Sequence, residues 1–258
     1  MLNHPTVNGI SQALHARSAA LLVRIEDGLP RIVLLWMAAA ALASAARIAV
    51  SPFPASRIDF LPYVLLVVAP AASLLLALHW FRDGAAMAQP SVRLARVGRW
   101  REVPADEARR HPLFGTSGIM VSLLVGMLLN VPVRAAEYLA TMPAIGAAAP
   151  EWLATLHLAM SIDAVLVSSL YVIAFAAALR GLPLFPRLLV LVWLVDLAMQ
   201  LLIAQAAVSS GLPSQVAGAL LQFLDGNIKK VLISVALWLP YLLLSARVNV
   251  TFRQRVAV

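Results

Sequence analysis

The sequence has no cysteine and little charge. Without thiols there can be no disulfides, thiolate metal sites or cysteine nucleophiles. Charged residues make up only 12% of the 258 positions, against about 25% in soluble domains, so much of the chain does not meet water. HExxH, GxSxG, glycine-rich phosphate loops and Asp-rich metal motifs are also missing. The sequence therefore points to no catalytic residue, cofactor or metal. What it does contain is hydrophobic: 62% of residues are apolar and the mean hydropathy is +0.87. Only helices and closed barrels satisfy backbone polar groups in lipid. The long apolar runs here predict an all-α polytopic membrane bundle.

A crossing helix needs about 20 apolar residues. Six runs meet this, at 32–50, 60–81, 116–133, 152–179, 184–205 and 231–246. Pro30, Pro52, Pro54, Pro112, Pro143, Pro150, Pro183, Pro186 and Pro213 fall at expected edges, whereas Pro70 and Pro240 lie inside runs. The first 29 residues show no signal-peptide core or cleavage site. They read as a cytoplasmic interfacial helix, with Ile10, Leu14, Leu21 and Ile25 on one stripe. Leu212, Val216, Leu220 and Leu224 predict a second interfacial helix, capped by Ser214 and stopped by Gly226. With both termini cytoplasmic, fifteen basic residues lie inside and five outside, the five being Arg47, Arg57, Arg134, Lys229 and Lys230. The net charge of +8 is thus a topology signal, not a nucleic-acid footprint.

The connection 82–113 is a cytoplasmic loop in which Arg93, Arg96, Arg99 and Arg101 alternate with Val92, Leu94, Val97 and Trp100. It reads as a solvated linker that enforces topology, or as a contact for anionic lipid or a partner.

Polar groups inside the runs are the candidate chemistry, because a mid-bilayer charge costs about 2.5–3.5 kcal/mol on insertion scales. Asp196 lies mid-run with Gln200 one turn on, and Asp163 follows His157 and Ser161. Arg134 and Glu137, three apart, are expected to pair on one face, with Asn130 one turn earlier. One reading is a proton or cation track through Asp163, Asp196 and His157. The other is a set of interhelical hydrogen bonds that lock the bundle.

The chain closes on "LWLPYLLLSARVNVTF". Pro240 frees a carbonyl, Tyr241 and Ser245 share a face, Arg247 marks the interface, and Asn249 and Thr251 are expected to stop the helix and dock the tail. Trp238, Pro240, Tyr241, Ser245, Arg247, Val248, Thr251 and Phe252 in this stretch, with "GTSGIMVSLLVGMLLNVPVRAAEYL" and "LRGLPLFPRLLVLVWL", resemble the YdgK-like family of bacterial four-span inner-membrane proteins. The resemblance covers about residues 114–253. It implies an inner-membrane helical domain and no assigned activity. Residues 30–81 then form a two-span N-terminal extension and 254–258 a cytoplasmic tail. The terminal motif is a partner contact or an anchor for the last helix.

Together these features lead to an expected role as a non-catalytic accessory or scaffold subunit of a larger membrane assembly. The alternative is a small proton- or cation-coupled transporter using Asp163 and Asp196. The expected associates are membrane lipids, other subunits or further copies of the chain, and not nucleic acid.

Overall fold

The computed structural model describes residues 5–52, 58–92, 98–146 and 148–258, with side chains from Ala16 onward. The chain runs α1 (Pro5–Ala49), α2 (Leu61–Trp80), a 3-10 turn (Gly84–Ala86), β1 (Trp100–Glu102), α3 (Ala105–Arg110), α4 (Met120–Thr141), α5 (Glu151–Leu179), α6 (Phe185–Ser209), α7 (Ser214–Leu244), α8 (Ala246–Arg253) and β2 (Arg255–Ala257). Helices α1, α2, α4, α5, α6 and α7 are long and apolar enough to cross a membrane. The protein is an all-α, multi-pass membrane bundle.

Helix α5 is the centre, packed against α2, α4 and α6. Its segment Ala174–Ala178 is fully enclosed, as expected where small side chains let helix backbones approach closely. The alanine-rich part of α1 behaves differently. Only Ala40 and Ser44, four apart, are buried there, so a single narrow stripe packs and the rest faces outward. At the far end of α1, Arg47 donates to the Met142 carbonyl (2.7 Å) and Ser51 to that of Ala144 (2.9 Å). These bonds tie it to the α4–α5 connection.

The turns after α5 and α6 repeat one device. Gly181 and Gly211 adopt left-handed φ of +65° and +71°. The following leucine amides reach back five residues, Leu182 to Ala177 (2.9 Å) and Leu212 to Ala207 (3.3 Å). This is a Schellman stop, and the Gly-Leu-Pro order suits it because proline cannot continue the helix. Nearby, Gly84 packs so closely on the α5–α6 turn that a Cβ there would meet the Arg180 carbonyl oxygen at 2.9 Å.

Three expected boundaries are corrected. The interfacial helix expected at 1–29 is continuous with the first span: α1 passes Pro30 without a break. Likewise α7 runs unbroken through Gly226, so the expected outer helix and sixth span are one element. Its N-cap is Pro213, and the expected cap Ser214 is the first helical residue. Helix α4 continues past Pro132 to Thr141, eight residues beyond the expected end of the third span at 133. The physical cause is shared. A membrane helix tolerates an internal proline or charge when neighbouring helices satisfy the exposed groups, and hydropathy along one strand of sequence does not see those neighbours.

At the other end of the bundle, α7 stops at Ser245, whose ψ of 127° is extended, and α8 begins at once. Asn249 and Thr251 therefore do not end the last span, contrary to the expectation from their polarity. They sit inside α8, which ends at Gln254 in a left-handed conformation. The strand β2 then pairs antiparallel with β1, Arg101 opposite Val256. The tail and the 98–111 segment form one small lobe.

Candidate functional site

Arg134, Asp163, Asp196, Gln200 and Asn227, all buried, form a network across four helices. Arg134 of α4 is 7% exposed and donates Nη1 to Asp163 of α5 and Nη2 to Asp196 of α6, both at 2.6 Å. The expected Arg134–Glu137 pairing is therefore not made. A local i,i+3 pair loses to two carboxylates that are themselves removed from water, where a charge-assisted bond is strongest. Asp196, at 0% exposure, also accepts from the Tyr171 hydroxyl (3.1 Å).

Gln200 extends the network. Its Nε2 donates to Asp163 (3.1 Å), and its Oε1 accepts from Asn227 of α7 (3.2 Å). Lys230 closes the outer edge by donating to Asn227 (3.2 Å) and pairing with Glu137. Lys229, one position earlier, pairs with Asp225 at 2.5 Å along α7. Lys229 and Lys230 thus lie on a long helix, not in an outer loop.

Beside this network is a polar recess of about 40 Å³ lined by Asn130, Arg134, Glu137, Tyr171, Asn227 and Lys230 among others. It has room for a water molecule, which needs roughly 10–15 Å³ of such volume. Two buried atoms of its wall, Asn130 Oδ1 and Arg134 Nε, have no hydrogen-bond partner among the described residues. One is an acceptor and the other a donor.

His157 does not join Asp163 and Asp196, so the three do not line a single track. Its Nε2 is 3.1 Å from the Tyr138 hydroxyl, which also bonds Ser161 (2.8 Å). Ser161 in turn donates to the His157 carbonyl (2.6 Å). The result is a second, separate polar cluster between α4 and α5.

The terminal residues are used within the chain. Arg247 donates to Ser117 (2.9 Å), and Thr251 receives the Gly115 amide (3.0 Å). Arg253 donates to the Leu242 carbonyl (2.9 Å) and to Asn249 (3.2 Å). Burial, with Arg255 nearby, pushes Arg253 down to about 10, and burial also lowers Arg247. Arg253 nevertheless remains a cation at neutral pH. Phe252 packs against Phe185, where α6 begins, with ring centres 4.9 Å apart and the rings tilted by 41°, and Trp238 meets Tyr241 edge-on at 5.9 Å. Pro240 lies inside α7. The terminal motif therefore binds α7, α8 and the start of α4 to one another.

Of the loop arginines, Arg99 and Arg101 are exposed, and Arg101 pairs with Glu107 at 2.7 Å. An exposed pair of this kind contributes about 0–1 kcal/mol. Arg93 and Arg96 lie outside the described residues.

Sequence reasoning missed Tyr138, Tyr171, Asn227 and the role of Lys230. Tyr138 was within reach, since it lies one turn after Arg134 and so shares its face. No family model, curated protein or solved structure matches this chain. The chemistry of the site therefore rests on its own geometry.

Proposed function

We propose that this chain is a non-catalytic accessory or scaffold subunit of a bacterial inner-membrane assembly, with both termini cytoplasmic. One observation carries the reading. The charged groups deep in the spans pair with one another, Arg134 with Asp163 and Asp196, and Lys230 pairs with Glu137 at the edge. Such a network fixes the positions of α4, α5, α6 and α7 and leaves little free to take up a substrate. Extraction of the full chain in mild detergent followed by mass spectrometry is expected to recover a stoichiometric membrane-protein partner. Recovery of the chain alone, as a monomer, contradicts the proposal.

A second reading, proton- or cation-coupled transport, is favoured by the recess beside Arg134 with its two unpartnered atoms. One guanidinium also faces two carboxylates there, so the trio has room for one more positive charge. Conversion of both Asp163 and Asp196 to Asn separates the readings. A transporter loses flux in proteoliposomes while staying folded, whereas a scaffold loses only stability or assembly.

A further inference from the structure

A second, apolar cavity lies on the α1 side of the bundle. It is a groove of about 590 Å³ between α1, α2 and α4, with Leu21, Ile25, Leu35 and Ala39 on its α1 wall, and Ala71 and Leu129 opposite. Leu35 is 68% exposed and Leu129 57%, so the groove opens sideways along the flank of the bundle. Along α1 it extends from Leu21 to Ala39, which at 1.5 Å per residue is about 27 Å. One leaflet of hydrocarbon is roughly 15 Å deep. The part beyond Arg31, eight residues or about 12 Å, is close to that depth.

Its border is cationic along the half nearer Leu21, as far as Arg31, and apolar beyond. Arg17, Arg24 and Arg31 are exposed and seven residues apart, which places them on one stripe of α1. Leu21 and Leu35 follow Arg17 and Arg31 by four, so the arginine stripe borders the groove wall directly. Glu26 points away to Arg180 at 3.3 Å. Asp27 is the one carboxylate between Arg24 and Arg31 besides Glu26. The border thus carries three cations and one anion.

Charge decides what fits: the groove is open along one side and admits either a helix face or a lipid chain, and its arginine border matches an anionic headgroup. A flexible hydrocarbon chain fits a narrow apolar slot, and its headgroup then falls beside the arginines.

We propose that this groove holds an acyl chain of an anionic membrane phospholipid, whose phosphate group is held by Arg24 and Arg31. Together they form a specific lipid site that ties α1 to α2 and α4.

Native mass spectrometry of the full chain in mild detergent, with phosphatidylglycerol or phosphatidylcholine added, tests this. The wild-type chain is expected to retain one phosphatidylglycerol in preference to phosphatidylcholine. Changing Arg24 and Arg31 to Gln should cut that preference about thirty-fold, from two basic contacts. Ala39→Phe, and separately Leu35→Trp, should block the groove and reduce retention at least tenfold with an unchanged melting temperature. Ala41→Phe, on the opposite side of α1, should leave retention as in the wild type. Equal retention of the two lipids by the wild type overturns the proposal. So does undiminished retention in both blocking variants, or a dimer that those variants dissolve, which would make a second copy the occupant.

Discussion

Replacement of Arg134 by Met is expected to destabilise the protein by about 3–5 kcal/mol, the usual cost of removing one partner of a buried ion pair. The reason is the charge count. Asp163 and Asp196 both face this guanidinium at 2.6 Å, and without it two carboxylates remain together in a medium that solvates neither. The carboxylate changes behave differently. Asp196→Asn leaves a neutral Arg134–Asp163 pair and removes one charge-assisted bond, a loss of about 1.5–3 kcal/mol. What costs stability is a buried carboxylate left without its cation: combining Arg134→Met with Asp163→Asn and Asp196→Asn should recover most of the lost stability. Denaturation in detergent, followed by circular dichroism, measures all three. If Arg134→Met costs no more than Asp196→Asn, the trio does not lock the bundle.

The second large effect is expected at the tail. Phe252 is 0% exposed and packs on Phe185, and Phe→Ala in a core costs about 3–5 kcal/mol. The tail lobe is small and joined to the bundle through a few bonds, so it is expected to open locally before the spans unfold. Phe252→Ala should therefore leave the helical signal nearly intact while making 245–258 and 98–111 sensitive to protease together. The two segments respond as one because β1 pairs with β2. Cleavage confined to the tail, with 98–111 still protected, would show that the strand pairing does not couple them.

The six spans were legible because burial in lipid is a property of each run by itself. Arg134, Asp163 and Asp196 were legible as inward-facing for the same reason, since a mid-span charge must find a partner. Which partner it finds is a long-range matter. The spacing of Arg134 and Glu137 suggests a local pair, yet each reaches another helix, 29 positions away for Asp163 and 93 for Lys230. The unbroken course of α7 was hidden similarly. Asp225, Lys229 and Lys230 look like loop residues until Asp225–Lys229 and Glu137–Lys230 neutralise them. The β1–β2 pairing left no local trace, because two three-residue strands far apart in the sequence carry too short a pattern to read.

The absence of cysteine allows the six-crossing bundle itself to be tested by single-cysteine labelling in sealed vesicles. Cysteines placed at Ser91 and Val258 should react with a membrane-impermeant maleimide from one face, and those at Thr141 and Ser209 from the other. All four positions are exposed and lie outside or at the ends of the long helices. Labelling of positions 91 and 141 from the same face would mean that α4 does not cross, and Arg134 could not then meet Asp163 and Asp196 inside the membrane.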